Sequence, residues 1–206
     1  PASTQIRELE KRREVVLRSI QEQGKLTGEL KEKIKAASSL AALEDVYLPY
    51  RPKRRTRATI AKEKGLEPFA RRLFQQESQE SMDPALEARA FIDPEKELAS
   101  VEDVLSGARD IIAEWVSEDA RAREKIRHLF TTQGILRSKV ARSKETEGAK
   151  YKDYFDWAEP VSTIPSHRML AMRRGEKEGI LNLRLAPPVD NAHALLEQLL
   201  LTYKNA

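Results

Sequence analysis

Residues 47–64 carry seven basic side chains (Arg51, Lys53, Arg54, Arg55, Arg57, Lys62 and Lys64) against a single acid, Glu63. Five of the seven fall between Arg51 and Arg57. Cations at this density can meet successive phosphates of a polyanion, and a neighbouring ring can stack on a base. Tyr47 and Tyr50 stand beside the run. The nucleic-acid-contacting residues read from the sequence are therefore Tyr50, Arg51, Lys53, Arg54, Arg55 and Arg57. Two other readings stay open: a solvated loop, and a loop that docks onto acidic protein surface. A second basic stretch, residues 135–152, has Arg137, Lys139, Arg142, Lys144, Lys150 and Lys152 against Glu145 and Glu147. Between Arg137 and Lys144 it has no aromatic neighbour, and a solvated face is favoured there. The two stretches carry net +6 and +4 in a chain of net +4, which leaves −6 on the rest. Positive charge gathered onto an otherwise acidic surface is the pattern of a polyanion binder.

Catalytic arrangements fare worse. Ser166-His167-Arg168 places a hydroxyl beside an imidazole, but Ser166 stands where a helix cap belongs and no carboxylate is placed to orient His167. Glu102 and Asp103 open a helix, where acids complement the positive end of the backbone dipole. Phosphate-cradling glycine loops are absent. The chain has no cysteine and three widely spaced histidines, so neither disulfides nor a zinc site is expected. No catalytic residue, metal or cofactor is assigned, and the chain is read as a non-enzyme. Tyr151, Tyr154, Phe155 and Trp157, close to Lys150 and Lys152, could form a stacking platform. At helical spacing the first three share one face, which favours a core role.

The elements that must position these residues are mostly helical. Only eight of 206 residues are glycine, 40% are apolar and 34% charged, and the apolar positions recur at helical spacing. Helices are expected over Thr4–Gln23, with Ile6, Leu9, Val16, Leu17 and Ile20 inward, then after Thr27, and after Ser39 with Leu40, Leu43, Val46 and Tyr47 inward. These three resemble a helix-turn-helix-like unit. Pro49 and Pro52 bracket the start of the basic loop. Helices follow over 58–64, from Pro68, after Asp83 and after Asp93. Val101–Val116 repeats apolar residues at i, i+3, i+4 and i+7 behind a Ser100/Asp103 capping box, and is the strongest core helix. Another runs to Gln133. Residues 135–140 read as a strand or an extended basic loop. A helix over 147–155 leads into a proline-bounded loop, and Ser166 caps a helix to about Gly175. Residues 180–185 alternate like a strand. Asp190 caps a final helix after Pro187-Pro188. The fold class is all-α and multihelical, with one short β element near the C-terminus. A lone strand leaves its backbone groups unpaired, so it needs either 135–140 or sequence outside the chain. With an opening residue Pro1 and no methionine there, the chain is expected to be part of something longer.

Two stretches resemble the Tex family of bacterial transcription-accessory proteins, relatives of the eukaryotic Spt6 factors. They are LEDVYLPYRPKRRTRATIAKEKGL, from Leu43, and EGAKYKDYFDWAEPVSTIPSHRMLAMRRGEKEGIL, from Glu147. The opening QIRELEKRREVVLRSIQEQGKLT and the segment GARDIIAEWVSEDA are similar to the family too. The resemblance implies an N-terminal helical region, followed in the whole protein by an RNase-H-like domain, helix-hairpin-helix modules and an S1 domain. It also implies association with RNA or DNA in transcription, the S1 domain being the principal nucleic-acid binder, and it assigns no catalytic residue. The expected function is a helical scaffold that positions nucleic acid. The alternative is a protein-interaction module whose basic loops dock the other domains, RNA polymerase or other transcription or translation machinery. Subdomains are expected at 1–66, 67–186 and 187–206. With no membrane-spanning run and no secretion leader, a cytoplasmic location without membrane partners is expected.

Overall fold

A computed structural model of the chain describes residues 2–76 and 82–202. Pro1 lies outside them. The described residues form two compact units, one taking in the chain up to Arg123 together with Thr202, the other Glu124–Leu201. Among them no helix is long and apolar enough to cross a membrane.

The first unit opens with α1 (Ala2–Glu22), which Gly24 ends at φ 67°, a left-handed geometry that glycine adopts without strain. Helices α2 (Gly28–Ala36) and α3 (Leu40–Tyr47) follow. The hydroxyls of Thr27 and Ser39 accept hydrogen bonds from the N–H groups of Leu30 and Ala42, so both caps fall as the sequence indicates. Val16 and Ile20 of α1, Ile34 of α2 and Leu43 and Tyr47 of α3 close a first core. Ile6 and Leu40, expected inward, are instead 60% and 42% exposed. Each lies near the outer end of its helix, where the apolar stripe outruns the partners available to cover it.

After a 3₁₀ turn at Leu48–Tyr50 and an extended loop come α4 (Arg57–Glu63), α5 (Glu67–Gln75), α6 (Pro84–Ala88) and α7 (Val101–Glu118). Ser100 and Asp103 exchange hydrogen bonds as a capping box at the start of α7. Val104, Ala108 and Ile111 are fully buried in a second core with Leu66 and Phe69, while Leu105, Ile112 and Trp115 are half-buried at its margin. Trp115 packs edge-on to Phe74, ring centroids 5.6 Å apart. At Gly107 a Cβ would lie 2.4 Å from Leu66 Cδ1, so the missing side chain lets the turn after α4 press against α7. Because Leu66 sits inside this core, the helices before and after it belong to one unit, and the compact units part inside α8 (Ala120–Gln133) and not at Leu66.

The second unit is built on an antiparallel sheet of β1 (Ile135–Val140), β2 (Asp156–Pro160) and β3 (Leu181–Ala186), in the order β2-β1-β3. The chain is thus mostly helical, and its β element is three-stranded. The 180–185 strand finds its partner in 135–140, and β2 lies between the helix expected to end at Phe155 and the loop bounded by Pro160 and Pro165, where no strand is read from the sequence. Pro160 is tolerated because β2 is an edge strand. One face of the sheet packs under a 3₁₀ helix at Ala149–Tyr154 and α9 (Ser166–Lys177), around buried Leu136, Tyr151, Met172, Ile180 and Leu181. The aromatic cluster goes into this core: Tyr154, Phe155 and Trp157 pack on it, and Trp157 donates Nε1–H to Glu159 at 3.2 Å.

Two caps are corrected. The N-cap of α9 is Pro165 and that of α10 (Val189–Leu200) is Pro188; Ser166 and Asp190 lie just inside their helices. Proline already holds the extended conformation a cap requires, so each boundary moves forward. Strand β1 begins directly after Gly134, where a Cβ would stand 2.1 Å from the Phe130 carbonyl oxygen.

Candidate nucleic-acid interface

The basic loop is anchored at both ends. On its N-terminal side, Pro49 starts the 3₁₀ turn and the Arg51 N–H donates to the carbonyls of Tyr47 (3.1 Å) and Leu48 (3.3 Å). Gln23, in the turn just after α1, donates to the Tyr50 carbonyl at 2.8 Å, and the Tyr47 hydroxyl bonds Ser19 Oγ at 3.0 Å. Tyr50 is half-buried against the first core, so its ring is partly committed to packing. On the C-terminal side, Thr56 caps α4 by accepting from the Thr59 N–H at 3.1 Å, and its hydroxyl reaches Glu114 at 3.2 Å.

Between these anchors the five cations divide. Asp110, Glu114 and Glu118 recur every four residues on α7 and form an acidic stripe beside the loop. Lys53 ion-pairs with Glu118 and lies 3.6 Å from Glu114; Lys62 of α4 meets Glu114 at 2.8 Å; Arg57 lies 3.6 Å from Asp110. Arg55 turns back onto Glu63, Nη2 to Oε2 2.7 Å. Burial pushes the Glu114 carboxyl up, but the hydrogen bond and charge of Lys62, together with Lys53, more than offset it and hold the group below the usual carboxylate range. Arg51 and Arg54 differ. Both are exposed, and among the described residues neither forms an ion pair. The fold spends Lys53, Arg55 and Arg57 on holding the loop and leaves Arg51 and Arg54 facing solvent.

The acidic stripe is the part that sequence reasoning missed. Its signal was present as carboxylates at i, i+4 and i+8 on the strongest core helix, along one flank of its apolar stripe. Among the described residues no group of three or more His, Cys, Asp or Glu side chains is placed to hold a metal ion. Ser166 and His167 lie in the first turn of α9, where the side chain of neighbouring Arg168 binds both carboxylate oxygens of Glu159, at 2.6 and 2.8 Å, and lies 5.0 Å from the centre of the Trp157 ring.

Residues 79–204, more than half of the chain, match a family model described as Tex central region-like. The chain belongs to the Tex family. It is similar to Protein YhgF of Escherichia coli, 49% identical over 180 residues, covering 87% of this chain and 23% of that protein. Protein tex of Bordetella pertussis is 47% identical over 176 residues, 85% of this chain and 22% of the relative. The Transcriptional accessory protein Tex of Neisseria gonorrhoeae is 46% identical over 180 residues, 87% and 23%. The chain therefore spans less than a quarter of the length of these family members.

Proposed function

We propose that this chain is a helical scaffold of a transcription-accessory protein in the cytoplasm, that it associates with RNA or DNA during transcription, and that it catalyses nothing. The observation that carries the nucleic-acid reading is the contrast within the basic loop. Arg51 and Arg54 are held exposed and, among the described residues, without a carboxylate partner, by neighbours that do have one. A guanidinium kept in that state offers a planar fork of donors matched to phosphate oxygens. The gonococcal relative, named as a transcriptional accessory protein, supports the setting.

The test is salt-dependent binding to short single-stranded RNA and duplex DNA. Replacing Arg51 and Arg54 with Gln is expected to flatten the slope of log K against log salt by about 1.8 on duplex and about 1.4 on a single strand, two contacts' worth. An unchanged slope and affinity removes the loop from the nucleic-acid interface. A second reading is supported by Lys53, Arg55 and Arg57, which show that this loop takes carboxylates readily. On that reading the loop docks acidic surface of RNA polymerase or of the rest of the longer protein. It is favoured if the same double variant binds nucleic acid normally but loses thermal stability, or polymerase binding, in the longer protein. Incubation with nucleotides and labelled RNA or DNA is expected to give no turnover; cleavage that survives stringent purification would sink the non-enzyme reading.

A further inference from the structure

The sheet of the second unit has one face on the core and one in solvent, and the solvent face holds a charge arrangement the fold itself does not explain. In the β1–β3 register Arg137 stands directly opposite Arg184. The hydrogen bond from the Ala141 N–H to the Ile180 carbonyl (2.7 Å), four residues further on, makes this a hydrogen-bonded pair by the two-residue alternation of antiparallel ladders. The Cα atoms of such a pair are about 5.5 Å apart. Lys139 follows on the same face of β1, between Asn182 and Asp156. Arg137, Lys139, Asn182, Arg184 and Asp156 are all exposed.

Like charges directly opposite on one sheet face are destabilising. Among the described residues neither Arg137, Arg184 nor Lys139 forms an ion pair, whereas Lys144 pairs with Glu147 at 2.5 Å, Lys150 with Glu178 at 2.7 Å and Arg168 with Glu159 at 2.6 Å. Three cations thus share a face with one carboxylate. The flanking positions are low: Ala158 lies beside Arg137, and Pro160 and Ala186 lie beside Ile135 at the end of the face. Protein interfaces gather their energy around buried aromatic and large apolar anchors. Here the one large apolar side chain is Ile135, half-buried at the end of the face. Contact with a phosphate backbone needs no such anchor, only cations spaced along it.

We infer that this face, with Arg137 and Arg184 as a cross-strand guanidinium pair and Lys139 beside them, is a second contact surface for the phosphates of a nucleic acid, independent of base sequence. It rests on the reading that the chain associates with nucleic acid, but not on the Arg51–Arg57 loop. A phosphate placed over the pair accepts from both forks and removes the repulsion between them.

The test measures anisotropy of a labelled oligouridylate and of a labelled DNA duplex across a salt series, with R137Q/R184Q, R184E and R51Q/R54Q forms of the protein. R137Q/R184Q is expected to flatten the single-strand slope by about 1.4, two contacts at about 0.7 each. R184E, which turns a like-charge pair into an opposite-charge pair, will weaken binding while leaving Tm equal or higher. A residue needed only for folding would lower Tm instead. Unchanged affinity and slope in R137Q/R184Q, with R51Q/R54Q impaired, overturns this inference and leaves the loop standing. The reverse result keeps the sheet face and removes the loop. A parent protein that binds neither probe in a salt-dependent way removes both. Polyglutamate bound by the parent and lost in the same proportion by R137Q/R184Q would assign the face to an acidic protein partner and overturn the inference too.

Discussion

Lys53 and Glu118 form an ion pair between residues 65 positions apart in sequence, and that pair ties the basic loop to the last turn of α7. The Lys53 side chain is 29% exposed and that of Glu118 13%, so water screens the pair only in part. A Lys53→Ala, Glu118→Ala double-mutant cycle, read by chemical denaturation, is expected to return a coupling of about 0.5–1 kcal/mol. Lys53→Ala alone will leave the salt dependence of nucleic-acid binding close to parental, because its charge is already neutralised. A coupling of zero would mean that the pair does not hold the loop.

Glu114 sets an acid limit on the same region. Its folded pKa lies below its unfolded value, so its contribution is complete above the unfolded value and is lost as pH falls through the folded one. Thermal stability measured from neutral pH downward is therefore expected to decline below the ordinary glutamate range, about pH 4.3. Glu114→Gln will lower stability at neutral pH and narrow its gap to the parent as the pH drops. A gap that stays constant with pH would show that ionisation of Glu114 is irrelevant to folding.

Ile111, with no exposed surface, and Leu105, half-buried on the same helix, separate core from margin. Ile111→Ala is expected to cost about 2–5 kcal/mol, since its neighbours cannot close around the void. Leu105→Ala will cost less. Equal losses in denaturant titrations would contradict the burial pattern of α7.

Gly134→Ala is expected to destabilise the second unit by about 1–3 kcal/mol. The new methyl would meet the backbone oxygen of Phe130, which no side-chain rotation can move aside. The Gly134 carbonyl also accepts from the Val161 N–H at 2.8 Å, so a shift of the backbone there disturbs the sheet edge. A variant as stable as the parent would show that the junction of α8 and β1 can relax.

What the sequence discloses follows the range of each interaction. Caps at Thr27, Ser39, Asp83, Asp93 and Ser100 are readable because a hydroxyl or carboxylate meets an N–H two or three residues away. The apolar repeat of α7 is readable for the same reason. Ser166 and Asp190 mislead because the preceding prolines also satisfy the cap geometry, and local chemistry alone does not choose between them. Strand β2 is hidden because five residues ending in Pro160 make a weak alternation, and its hydrogen bonds go to a segment some twenty residues upstream. In the basic loop, composition singles out the right region but not the division of labour. Arg55 is neutralised by nearby Glu63, but the neutralisation of Lys53 and Arg57 depends on Asp110, Glu114 and Glu118, brought alongside only when α4 packs on α7.

The two tryptophans fall one to each compact unit: Trp115 against Phe74 in the first, Trp157 against Tyr154 and Arg168 in the second. The protein thus has a separate intrinsic fluorophore for each half. Trp157→Phe leaves emission from the first unit alone, and Trp115→Phe from the second alone. Denaturation curves of the two single-tryptophan proteins will superimpose if the halves melt as one cooperative body, and will separate along the denaturant axis if each melts by itself.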